Sequence, residues 1–428
     1  MRASELRAIL RGRDFRRLYG TRLTSQLTDG VFQVALAGYV FFSPERQTSA
    51  GKAAAAFAVT LLPYSALGPF AGVFIDRWQR RRILMWTPVV RALLTVLVAA
   101  LVAAGQDGAV FFVTVLVVLG VNRFFLAALS AALPHVVRRE HLVTANAFAV
   151  TSGTVIAFVG AGLGYLMRRV FGPHDDGTAL ILLGAAALWV AAALVATTLP
   201  RRLLGPHLDR AAPHTREALG NVLHGLADGA RHMIGHGPAA LSLAAISVHR
   251  FLYGIVLIMT LLLCRNHFTT DPDAGMAAFA VMLGVSGAGY FAAALVTPPV
   301  VRRVSKATWI TWLLAGGGVA LLVLGLPFAR GPWVVGAFVL GVVSQGVKLC
   351  VDTTLQESIE DAYRGRVFAV YDMLFNATFA AAAAIAATWL PLDGVSYATL
   401  VVVVVAYVLA AVAFRACATR LSRVSATA

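Results

Sequence analysis

Residues 68–82 read GPFAGVFIDRWQRRR: an apolar run, one acid at Asp76, then Arg77, Arg80, Arg81 and Arg82. Helices leave a bilayer in this way on the side where positive charge collects. Residues 289–303, GYFAAALVTPPVVRR, align to that stretch without a gap at an offset of 221. A second pair, Phe148-Ala149-Val150 and Phe368-Ala369-Val370, lies 220 apart. Each match is weak alone in a chain rich in Ala and Val. Two with nearly one offset, in corresponding places, point to a duplicated half.

The rest of the chain agrees with a membrane reading. Its 428 residues are 59% hydrophobic and 13% charged, where a soluble domain is about one-quarter charged. Mean hydropathy is +0.77. Apolar runs of about 20 residues, enough to cross a bilayer core of about 30 Å, recur over the whole length. The expected spans are 18–42, 53–75, 83–104, 109–133, 145–167, 178–199, 239–263, 275–297, 308–328, 332–355, 367–390 and 396–414. Arginines before an apolar stretch, followed by Ala35-Leu36-Ala37, resemble a cleaved leader. Gln26 and Asp29 interrupt that stretch, so it reads as a retained first span. The expected fold is therefore all-α and integral to the membrane, with twelve transmembrane helices in two six-helix pseudo-symmetric bundles.

Charge gives the orientation. Of 36 Lys and Arg, only Arg46, Lys52, Arg168, Arg169, Arg265 and Arg330 fall on one set of alternate loops. The opposite set is about fourfold richer, which puts both termini in the cytoplasm. The net charge of +16 is thus accounted for by topology, and no nucleic-acid partner is invoked. The polar segment 200–237 divides the chain into bundles at 1–199 and 238–428. Within it Leu219, Val222, Leu223, Leu226 and Met233 suit a short amphipathic helix on the membrane face; a solvated linker is the competing reading.

Several chemistries lack their motifs. The cysteines (Cys264, Cys350, Cys417) form no CxxC, and the ten histidines no HExxH. GxxxxGK[ST] and GxSxG are also absent, so neither bound ATP, a metal nor a serine nucleophile is indicated. No cofactor and no obligate protein partner is expected.

At this point the chain resembles the major facilitator superfamily of secondary transporters. GVFIDRWQRR (72–81) is close to that family's G-x-x-x-D-R-x-G-R-R/K signature: Gly72, Asp76, Arg77, Arg80 and Arg81 match, and Gln79 replaces a glycine. Residues 10–36, 133–148 (LPHVVRREHLVTANAF) and 363–370 (YRGRVFAV) look like the bacterial branch that includes macrolide and siderophore exporters. The resemblance implies the major facilitator fold, a gate at Gly72, Asp76, Arg77, Arg80 and Arg81, and a cavity lined by spans 1, 4, 7 and 10. In the second half Thr297 replaces the acid, leaving Arg302, Arg303 and Lys306, so the gate is expected in the first half. The family's exporter-associated G-P-x-x-G-G appears in span 5 as Gly160, Gly162 and Gly164 without its proline.

Ionisable groups inside spans cost several kcal/mol unless they face water or a partner, which makes them functional candidates. At a rise of about 1.5 Å per residue, Asp29, Arg91, Arg123 and Arg250 fall near the midplane. Lys348 and Asp372 are shallower and at matching depth, placed for a salt bridge; Arg22 and Asp352 lie near the cytoplasmic ends. Arg22, Gln26, Asp29 and Gln33 are spaced 4, 3 and 4, one face of a helix. That stripe either lines a water-filled cavity or hydrogen-bonds span 1 to its neighbours.

The expected proton carrier is Asp29, with Arg91 or Arg123 as its moving partner and Asp372 as second choice. Substrate contacts are expected from Gln26, Asp29, Gln33, Asn122, Arg123, His249, Arg250, Tyr253, Gln345, Lys348 and Asn376. One acid against three midplane arginines favours an anionic or zwitterionic ligand. The function expected is a proton-coupled exporter of an amphiphilic small molecule, not an enzyme, in a bacterial inner membrane. An importer or lysophospholipid flippase of the same fold is the alternative, and an integral-membrane enzyme a remote one.

Overall fold

The structure, a computed structural model, describes residues 9–43, 78–138, 141–200, 203–204 and 215–427. Its regular elements, among the described residues, are helices. They are α1 Arg13–Phe41, α2 Arg80–Ala103, α3 Ala109–Ala132, α4 Leu142–Phe171, α5 Asp175–Thr197, α6 Thr215–Gly235, α7 Gly237–Leu262, α8 Pro272–Val301, α9 Lys306–Ala320, α10 Arg330–Ser358, α11 Asp361–Trp389 and α12 Tyr397–Thr427. One π-helical turn, Leu263–His267, prolongs α7, and another, Leu321–Gly325, prolongs α9.

Among the described residues ten helices are long and apolar enough to cross a membrane. With 29 residues α1 is also long enough, but the polar stripe keeps it out of that set. The expected second span, 53–75, and Gly72, Asp76 and Arg77 of the proposed gate lie outside the described residues. Many large apolar side chains stay exposed, among them Leu93, Phe158, Val170, Phe291 and Val402. A surface of this kind belongs in lipid, whose acyl chains meet it without cost.

The chain divides into two compact units, with the change at Gly220–Asn221. In the first unit α1 packs on α4 and α5, and α2 packs on α3 and α5. The α1–α4 crossing depends on glycine. A Cβ at Gly30 would overlap the carbonyl of Ala157, and one at Gly160 that of Leu27. Two of the three signature glycines of span 5 serve this approach: Gly160, and Gly164 against Val31, where a Cβ would come within 3.2 Å. Gly162 has open space.

Arg168, expected in an outer loop, is instead buried in α4. Its Nη2 donates to the carbonyl oxygen of Phe42 at 2.7 Å and closes the end of α1. Arg81 does the same for α5, with Nε to Leu199 O at 2.6 Å and Nη2 to Thr197 O at 2.9 Å. Arg80 reaches Leu204 O at 3.1 Å. Cations on the last carbonyls of a helix satisfy orphan acceptors and oppose its dipole.

In the second unit α7 packs on α10, α11 and α12, α8 on α10, and α9 on α10 and α12. The α7–α11 approach repeats that of α1 and α4: a Cβ at Gly254 would come within 2.8 Å of Ala382 and 3.3 Å of Phe379 O. Between α8 and α10 the same service falls to Gly289, against Phe338, and Gly341, against Ser286. Part of the 200–237 segment forms α6. Its Met233 is buried, and the His232 ring stacks on Tyr363 of α11 with centroids 4.1 Å apart.

Candidate functional site

In the first unit the polar stripe of α1 divides. Arg22 and Gln26 face α4 at Gly153, where a Cβ would collide with Gln26 Oε1 and come within 3.0 Å of Arg22 Nε. Gln33, one turn beyond Asp29, is exposed. Asp29 turns inward and is 6% accessible.

Asp29 meets α2. Its Oδ1 accepts from Nη2 of Arg91, which is wholly buried. Nη1 of Arg91 donates to Asn122 Oδ1 of α3 at 3.0 Å and to Ser25 Oγ of α1 at 3.4 Å. The guanidinium carbon lies 4.0 Å from the ring centre of Trp189, a fully buried side chain of α5. One arginine thus joins four helices through an acid, an amide, a hydroxyl and an aromatic face.

The contacts of this cluster differ in what their loss costs. A desolvated cation–π contact contributes about 2 kcal/mol. Removing one member of a buried ion pair costs about 3–5 kcal/mol because it strands the other charge, so the contact most sensitive to loss of a partner is the Asp29–Arg91 bond. It is also the contact a single proton can weaken, because a neutral carboxyl gives up the Coulombic attraction and keeps only a hydrogen bond. Of the two arginines expected as partner, Arg91 is bonded to Asp29. Arg123, the neighbour of Asn122, is half-buried.

In the second unit His249 and Arg250 lie side by side on α7 and diverge. His249 is fully buried, with Nδ1 3.1 Å from the hydroxyl of Tyr407 on α12. Arg250 is 9% accessible and points to α11, where its guanidinium carbon lies 3.9 Å from the ring centre of Phe375 and 4.6 Å from that of Phe379. Its Nε is sealed from solvent without an acceptor. Hydroxyl pairs stand on neighbouring helices: Tyr253 with Ser286 at 3.3 Å, and Tyr290 donating to Ser344 at 3.2 Å.

The expected bridge between Lys348 and Asp372 is replaced by a local one. Lys348 Nζ binds Asp352 Oδ2 at 2.6 Å, one turn along α10. Lysine and aspartate at i and i+4 meet without the help of another helix, and Asp372 is exposed on α11. Asn376 spends its amide on the carbonyl of Asp372 at 2.8 Å, and Gln345 is half-buried. Lys306 makes an ion pair with Glu357, which ties the start of α9 to the end of α10. Sequence reasoning missed Ser25, Trp189, Phe375 and Phe379. A lone Trp in the Ala-rich span 178–199 was the one available signal.

A family model described as Major Facilitator Superfamily matches residues 21–383. Two relatives, described as uncharacterized MFS-type transporters of Mycobacterium tuberculosis and Mycobacterium bovis, are each 38% identical over 385 residues. The match covers 89% of this chain and 86% of theirs. Among solved structures, a mutant of the nucleoside transporter NupG superposes with a TM-score of 0.68 at 13% identity, covering 94% of this chain and 98% of its own. A POT peptide transporter mutant in complex with alafosfalin gives 0.66 at 14%, covering 95% and 94%. A bacterial homolog to the human lysosomal transporter Spinster gives 0.64 at 13%, covering 97% of each chain. At such identities these structures speak for the fold alone.

Proposed function

The chain belongs to the Major Facilitator Superfamily, as a multi-pass membrane transporter, and from that premise we propose that it is a proton-coupled exporter of an amphiphilic small molecule. The observation that carries the coupling is the buried Asp29–Arg91 pair. Protonation of Asp29 releases Arg91 to its bonds with Asn122 and Ser25, and deprotonation recaptures it. A two-state element biased by a proton is what coupling requires. Two halves, 1–199 and 238–428, joined by 200–237, alternate access to the substrate.

The resemblance of 10–36, 133–148 and 363–370 to macrolide and siderophore exporters supports the export direction and the substrate class. The bias of Lys and Arg, with the mycobacterial origin of the relatives, supports a bacterial inner membrane with both termini cytoplasmic. In this reading Gln26, Gln33, Arg123, Tyr253, Gln345 and Asn376 contact substrate. Arg81, besides binding the end of α5, and Arg80, besides binding the Leu204 carbonyl, act with Gly72, Asp76 and Arg77 at the gate.

The test is accumulation in sided vesicles under an imposed pH gradient, with a labelled macrolide, a ferric siderophore and lysophosphatidylglycerol. Export predicts gradient-driven uptake into inside-out vesicles of at least one of the three. Uptake confined to right-side-out vesicles would establish the importer or flippase reading instead.

A further inference from the structure

We propose that Arg250 is an oxyanion-binding site, taking the carboxylate or phosphate group of a ligand whose adjoining atoms are apolar. The proposal deepens the transporter reading above and rests on it for its setting, though binding can be measured without transport. The side chain is 9% accessible, and among the described residues no acceptor or acid pairs with it. Among the described residues the ionisable side chains that act on it are Tyr290, Tyr253, Tyr371 and Tyr407, and none of them is a carboxylate. A buried guanidinium without a counter-ion is costly unless something external supplies one.

Among the described residues the internal repeat supplies no partner of the kind Arg91 has. The offset of 221 carries Asp29 onto Arg250, which replaces the acid by a cation. The counterpart of α2 is α9, and after Lys306 it holds no ionisable residue. So the second unit has neither kept the first unit's ion pair nor exchanged its ends. It has a cation where the first unit closes a pair.

The surroundings define the ligand. Phe375 and Phe379 cover the guanidinium at 3.9 and 4.6 Å, so bonding is left to its N–H edge. Arginine presents that edge as a planar fork matched to carboxylate and phosphate. Tyr253, one turn from Arg250, and Tyr290 add hydroxyl donors whose present bonds to serine are 3.3 and 3.2 Å, long for O–H···O. The two rings suit a hydrocarbon or aromatic neighbour of the oxyanion. A soluble substrate and an anionic lipid headgroup share this chemistry.

Thermal unfolding of the full-length protein, followed by tryptophan fluorescence in nanodiscs, distinguishes them. One arm uses zwitterionic lipid and adds phenyl phosphate or 3-phenylpropionate, with 3-phenylpropanol and 3-phenylpropylamine as neutral and cationic controls. The other adds phosphatidylglycerol to the lipid and no soluble ligand. Stabilisation by the soluble anions identifies a soluble ligand; stabilisation by phosphatidylglycerol alone identifies a headgroup. In either case Arg250→Gln and Arg250→Leu unfold no earlier than the parent without anion, and anion binding weakens at least tenfold. The proposal is overturned if no anion stabilises the parent, if the variants respond as it does, if the amine is preferred, or if both variants unfold markedly earlier without anion. Asp29→Asn keeps the anion response, so a failure of proton-coupled export and a failure of this site give different results.

Discussion

At the residue scale the account rests on which arginine Asp29 meets. Depth along the spans put Asp29, Arg91, Arg123 and Arg250 at one level, but depth says nothing of which way each helix is turned. The packing of α1, α2 and α5 settles that, and it also brings Trp189 over the guanidinium. Removing one charge leaves the other buried alone, so Arg91→Leu should cost about 3–5 kcal/mol of stability. Adding Asp29→Asn should recover part of that loss, because the stranded carboxylate is gone. A double-mutant cycle by chemical unfolding in detergent measures the coupling; additive losses would mean the pair contributes nothing jointly. Lys348 teaches the opposite lesson. Its partner Asp352 was readable as an i, i+4 pair, but depth alone set Asp352 aside near the cytoplasmic end.

At the element scale most of the fold was legible. The expected 109–133 and 83–104 are realised as Ala109–Ala132 and Arg80–Ala103, because bilayer thickness imposes a length that hydropathy reveals. The π-helical turns ending α7 and α9 left no sign in that periodicity. The close approach of α1 and α4 was visible as glycines in span 5 but not which of them it uses. Gly160 lies under the Leu27 carbonyl, whereas Gly162 has open space. Gly160→Ala should therefore lower stability by about 1–3 kcal/mol, and Gly162→Ala should leave it unchanged or raise it. Equal melting temperatures for the two variants would contradict the crossing. Arg81→Ala removes two bonds to the end of α5 and should cost about 1.5–3 kcal/mol, the range for hydrogen bonds that involve a charged group.

At the scale of the molecule the duplicated half was legible from one offset, and the second unit departs from the first where function is expected to differ: Arg250 in place of Asp29. The proposed orientation rests on charge and has a direct check. Of the free cysteines Cys417 is exposed, and Cys264 and Cys350 are buried. A membrane-impermeant maleimide should label inside-out vesicles at Cys417 and spare intact right-side-out ones; labelling from the outer face would invert the assigned orientation. The central claim, that the Asp29–Arg91 pair couples transport to protons, is tested most directly by Asp29→Asn in proteoliposomes. Substrate exchange without a gradient and accumulation driven by a pH gradient are measured side by side, with a compound that passes the sided-vesicle assay. The account predicts that exchange persists while pH-driven accumulation is lost. Accumulation that still follows the pH gradient in Asp29→Asn would contradict it and move the proton to another group.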